Sequence, residues 1–194
     1  LEKAIGEYQK ILEADPRDLS VINTLGDLYA RTGKKGEAID HFMGLGDTYR
    51  RDGFAAKATA VYKKVIKLDP TNLQAQTLCA DLYAEQGLVA EAKQQLLLIA
   101  EQCNKAGDTK EALAVYQKVV ALDPGNVAAA TKLSQLLARQ GMGQDAYGHL
   151  ARSAQQCLAA GQDAEALKIF RRMLQVNPQG FEAHGRVGVY YEAA

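Results

Sequence analysis

Apolar positions recur along this chain at helical spacing. Val21/Ile22, Leu25 and Leu28/Tyr29 form one stripe, and Gly33 ends it. Ala38, Phe42, Leu45 and Tyr49 form the next, with Ile39, Met43 and Gly46 beside it. That second stripe is wider than one neighbour needs, so its helix is expected to pack on two sides. Ala58, Val61/Tyr62 and Val65/Ile66 make a third. The spacing predicts helices near 19–32, 35–52 and 55–68, with small residues such as Gly26, Gly46, Ala58, Ala80, Ala100 and Ala112 letting a neighbour's aromatic ring approach.

The same order then returns. Pro16, Pro70, Pro124 and Pro178 are each 54 residues apart, with no insertion or deletion between them. Gly33, Gly87 and Gly141 keep that step, as do Gly53, Gly107 and Gly161, and Ala4, Ala58, Ala112 and Ala166; Tyr8, Tyr62, Tyr116 and Phe170 follow the alanines. Inside one unit a shorter echo of 20 residues links Gly26 to Gly46, Tyr29 to Tyr49, Gly33 to Gly53, Ala38 to Ala58 and Phe42 to Tyr62. The recurrence predicts a partial unit at 1–16, units at 17–70, 71–124 and 125–178, and a partial unit at 179–194, in a single array. The pattern begins and ends mid-unit, so the sequence is expected to be a piece of a longer chain.

Local chemistry supports these boundaries. Asp15-Pro16 stops the first helix, because the residue before proline is pushed out of the helical region. Asp18, Asn72 and Asn126 are the expected N-caps of the helix that opens each unit. The two glycine series fit the left-handed position after a helix, which makes them structural rather than phosphate-binding. No Walker or dinucleotide spacing is present.

The order Leu-Gly, Tyr, Gly, Ala, aromatic and terminal Pro resembles the tetratricopeptide repeat, a helix-turn-helix unit of about 34 residues. The resemblance covers the whole chain, without the consensus Trp, and describes one such repeat extended by a third helix. It implies an all-α, α-α superhelix (a solenoid) of about eleven antiparallel helices. It also implies a ligand-facing side on the first helix of each unit. By that resemblance Asn23, Asp27 and Arg31 are the partner-binding candidates of the first unit, Thr77, Asp81 and Glu85 of the second, and Thr131, Gln135 and Arg139 of the third. Binders of chaperone tails place Lys and Asn at these positions to clamp a carboxylate. Asn23/Asp27, Thr77/Asp81 and Thr131/Gln135 stand there instead, and the acidic residues are expected to repel a chain-terminal carboxylate.

Composition narrows the function. The 23 basic and 23 acidic residues cancel, which argues against a broad nucleic-acid surface or an anionic-membrane patch, and no apolar run has a membrane helix's length. Cys79, Cys103 and Cys157, an odd number without close pairs, favour reduced core thiols and a cytoplasmic setting. His41 and His149 are equivalent positions with Gln95 between them. Without paired Cys/His spacing they are expected on the polar outer face, with no metal or other cofactor. The chain is therefore expected to be a non-enzymatic adaptor that holds a peptide or helix of a partner protein. A second expectation is self-assembly through uncapped ends, using Phe181, Val187, Tyr190 and Tyr191. A third is the recognition arm of a larger regulatory protein or enzyme.

Overall fold

The computed structural model describes residues 1–177. Among them are ten α-helices and no strand: α1 Glu2–Ala14, α2 Leu19–Arg31, α3 Lys35–Arg51, α4 Ala55–Leu68, α5 Leu73–Glu85, α6 Val89–Ala106, α7 Thr109–Leu122, α8 Val127–Arg139, α9 Gly143–Ala159 and α10 Asp163–Val176. The expected eleventh helix over 179–194, and Phe181, Val187, Tyr190 and Tyr191 with it, lie outside the described residues. The helices α2, α5 and α8 start at Leu19, Leu73 and Val127, a step of 54 residues, and the helices that follow them keep that step.

The helix ends show why the sequence cuts where it does. At the N-terminus of α2, the Asp18 carboxylate accepts from the backbone N–H groups of Ser20 and Val21. Asn72 and Asn126 accept from Ala75 and Ala129 in the same way. Gly33, Gly53, Gly87, Gly107, Gly141 and Gly161 all adopt φ between 70° and 79°. After α2, Lys34 N–H donates to Tyr29 O (3.0 Å) and Gly33 N–H to Ala30 O (3.3 Å), the paired bonds of a Schellman motif. After α3, Phe54 N–H donates to Tyr49 O at 2.8 Å, and the two rings meet edge to face at 6.3 Å, the apolar contact that accompanies this cap. Asp15 and Asp69, each before a proline, end α1 and α4 at φ −133° and −136°.

The chain divides into two compact units, Leu1–Gln95 and Leu96–Ala194. In the first, α3 packs against both α2 and α4, as its wide apolar arc predicts. Phe42 and Leu45 of α3 and Tyr62 of α4 are almost wholly buried. Two glycines make this possible. A Cβ on Gly26 would lie 2.6 Å from Phe42 Cε1, and one on Gly46 would lie 2.5 Å from Tyr62 Cε1. The helices therefore approach until an aromatic ring rests on bare backbone. Each fully buried side chain of this size contributes about 1.5–3 kcal/mol.

In the second unit α8 packs on α7 and α9, α9 on α10, and α8 also touches α10. Leu133, Leu150, Ile169 and Met173 anchor the core. Ser134 and Ala154 stand in the register of Gly26 and Gly46, and both are buried. All three cysteines are free and buried; Cys79 Sγ lies 3.8 Å from Thr59 O, and Cys157 Sγ 3.5 Å from Pro124 O.

Candidate functional site

On each of α2, α5 and α8 the predicted face residues run from half-buried to exposed. Asn23, Thr77 and Thr131 are half-buried, as are Asp27, Asp81 and Gln135; Arg31, Glu85 and Arg139 are exposed. The spacing of four residues keeps each trio on one side of its helix.

In the first unit the structure adds a residue that the sequence reading missed. Lys64 of α4 reaches back to α2, where its ammonium donates to Asp27 Oδ1 and Oδ2 (2.7 and 2.9 Å) and to Asn23 Oδ1 (3.0 Å). Asn23 Nδ2 also donates to Asp27 Oδ2 at 3.4 Å. On its way Lys64 crosses the face of Phe42, 4.8 Å from the ring centroid. Two of the three candidates on α2 thus already hold a cation of their own chain. The negative charge that was expected at Asp27 is balanced, which removes the reason for Asp27 to repel an incoming carboxylate. A sequence signal for this existed: Lys64, Lys118 and Arg172 recur at the 54-residue step, in phase with Asp27, Asp81 and Gln135.

Asp47, one helix on, is used in a similar way. The buried Tyr62 hydroxyl donates to Asp47 Oδ1 at 2.6 Å. Burial first, and then the Asp47 carboxylate, push the Tyr62 phenol far above its usual range. In the second unit burial and Glu101 push the Tyr116 phenol the same way.

His184 lies outside the described residues, and His41 and His149 keep part of their surface exposed. Both are half-buried, and the His41 ring stacks on Tyr29 with centroids 5.3 Å apart. Burial holds both imidazoles below the ordinary value, against the opposing pull of Asp40 on His41 and of Asp145 on His149; Arg152 lowers His149 further. Among the described residues no group of three His, Cys, Asp or Glu is placed to hold a metal ion, and no helix is long and apolar enough to cross a membrane.

The second unit has a different arrangement at the matching place. Gln135 and Arg139 of α8, and Arg172 and Gln175 of α10, line a cleft of about 510 Å³ that Gly143 at the start of α9 also borders. Arg172 Nη1 donates to Gln175 Oε1, while its Nε–H is buried with no hydrogen-bond partner among the described residues.

No curated protein matches the chain. Solved structures that it resembles include BtubC from P. vanneervenii (16% identity over 91% of this chain and 88% of that one, TM-score 0.45). They also include MamA (20% identity, 76% and 96%, TM-score 0.34) and YrrB, described as a tetratricopeptide repeat protein with an unusual peptide-binding site (16% identity, 92% and 96%, TM-score 0.29). The tetratricopeptide repeat profile matches residues 49–102 and 104–156, more than half of the chain. With its helix pairs, its glycine-terminated turns and its small-residue-to-aromatic contacts, the chain belongs to the tetratricopeptide repeat family.

Proposed function

We propose that this chain is a non-enzymatic adaptor that holds a peptide or helix of a partner protein on the α2, α5 and α8 faces. The family is one of protein-interaction scaffolds, which supports the broad class. The observation that carries the finer reading is the graded face of these helices. Each presents a half-buried polar pair beside an exposed charged residue, and on α2 that pair is held by Lys64, a mixture suited to directional contacts with a partner and to modest affinity. The setting proposed is the cytosol, supported by three free, buried thiols. The proposed organisation is one array of 54-residue, three-helix units, supported by the common step in helix starts.

Co-purification from the native host tests the reading. Reversing the charge of Asp27 and Asp81 (to Lys) and placing a charge at Gln135 (to Glu) is expected to abolish recovery of the partner while circular dichroism stays unchanged. Undiminished recovery contradicts it.

A further inference from the structure

We propose that the cleft between α8 and α10 takes a side-chain carboxylate, Glu or Asp, from the bound partner, with Arg172 as its principal ligand. This rests on the adaptor reading above and names one contact within it.

The first unit shows what the position is built for. There the cation on the third helix, Lys64, meets a carboxylate on the first, Asp27, at 2.7 Å. In the second unit the same register positions hold Arg172 and Gln135. The cation is kept and the carboxylate is replaced by a neutral amide one methylene longer, so among the described residues the countercharge is missing at this place. Among the described residues no acidic one lines the cleft; Asp145, in the first turn of α9, is exposed and stands outside the lining.

The geometry of Arg172 sharpens the ligand class. With Nη1 committed to Gln175 and Nε–H enclosed and without a partner among the described residues, the guanidinium brings an unmatched positive charge to the cleft wall. A carboxylate suits a guanidinium best, because its two oxygens can accept side by side from two of its N–H groups. Arg139 lines the cleft as a second cation, and the α9 N-terminus at Gly143 adds a partial positive charge. The Gln135 amide supplies a donor where Asp27 supplies an acceptor.

The test is an NMR titration of the full chain, following the Arg172 Nε–H signal. The probes are three tripeptides: acetyl-Ala-Glu-Ala-amide, its Gln counterpart, and acetyl-Ala-Ala-Ala with a free C-terminus. The Glu amide is expected to move the Arg172 Nε–H signal saturably and to lose that effect in high salt, while the other two leave it in place. Arg172→Gln, followed through the backbone amide signals of α8 and α10, is expected to weaken binding by about tenfold or more, the loss of one charge-assisted contact. Gln135→Asp, which restores the first unit's arrangement, is expected to do the same by supplying the carboxylate from within. An unmoved signal, an equal response to the Gln peptide, a response to the free C-terminus alone, or undiminished binding by Gln135→Asp overturns the proposal. If the Glu peptide moves only signals of α2 or α5, the cleft assignment fails while the adaptor reading stands.

Discussion

The two compact units use one helix pattern with different fillings. In Leu1–Gln95 the close approaches are aromatic on glycine, Phe42 on Gly26 and Tyr62 on Gly46. In Leu96–Ala194 the same register holds Leu150 with Ser134 and Phe170 with Ala154, so each small position already carries a Cβ. The polar ends differ in parallel: the first unit balances its charge with Lys64 on Asp27, and the second leaves Arg172 beside Gln135. Packing that must be kept is therefore met by compensating volumes, whereas the charge pattern is free to change and so can carry specificity.

The largest effects should come from the aromatic anchors. Phe42→Ala is expected to cost about 3–5 kcal/mol, read as a loss of urea-unfolding free energy, because the void would be framed by rigid helices. Leu150→Ala, at the matching place in the second unit, should cost less, about 2–5 kcal/mol. If Leu150→Ala costs clearly more than Phe42→Ala, the aromatic-on-glycine contact does not distinguish the units.

Next come the small residues. Gly46→Ala would force Tyr62 aside, and about 1–3 kcal/mol of destabilisation is expected. Ala154→Gly removes a Cβ that its own unit accommodates, and about 1 kcal/mol is expected from helix propensity plus a small void. A neutral Gly46→Ala would contradict the close approach.

Alkaline pH probes the first unit's buried acids. Burial pushes the Cys79 thiol up from 9.0 to about 11, partly offset by Lys63, and raises the Tyr62 phenol still further. The folded state thus binds these protons more tightly than the unfolded state. The Cys79 contribution is fully present below pH 9 and should be lost as pH rises from about 9 to 11, and that of Tyr62 is lost from about pH 10 upward, by up to about 1.4 kcal/mol per pH unit for each group that titrates only when unfolded. Cys79→Ala should flatten this slope, which equilibrium unfolding at stepped pH would reveal.

These expectations show how far the sequence could be read. Helix bounds, the Asp18, Asn72 and Asn126 caps and the glycine turns were legible because each rests on bonds within a few residues. The two-sided packing of α3 was legible because its apolar arc exceeds one contact. The role of Lys64 was not, since it sits 37 residues from Asp27 and the contact depends on which side of α3 the next helix passes. The stacking of His41 was not legible for a related reason: its partner Tyr29 lies on another helix, and spacing along one helix cannot show that.

The smallest effects test the central claim, that one unit supplies its own countercharge and the other waits for a partner's. Double-mutant cycles by urea unfolding, Asp27→Asn with Lys64→Met and Gln135→Ala with Arg172→Met, measure it directly. The first cycle should give a coupling of about 0.2–1 kcal/mol that shrinks in high salt, as expected for a half-exposed ion pair. The second should give none, with Arg172→Met neutral or stabilising alone because it deletes a buried, unpartnered N–H. Equal coupling in both cycles would mean that the second unit is already satisfied, and the account would fail.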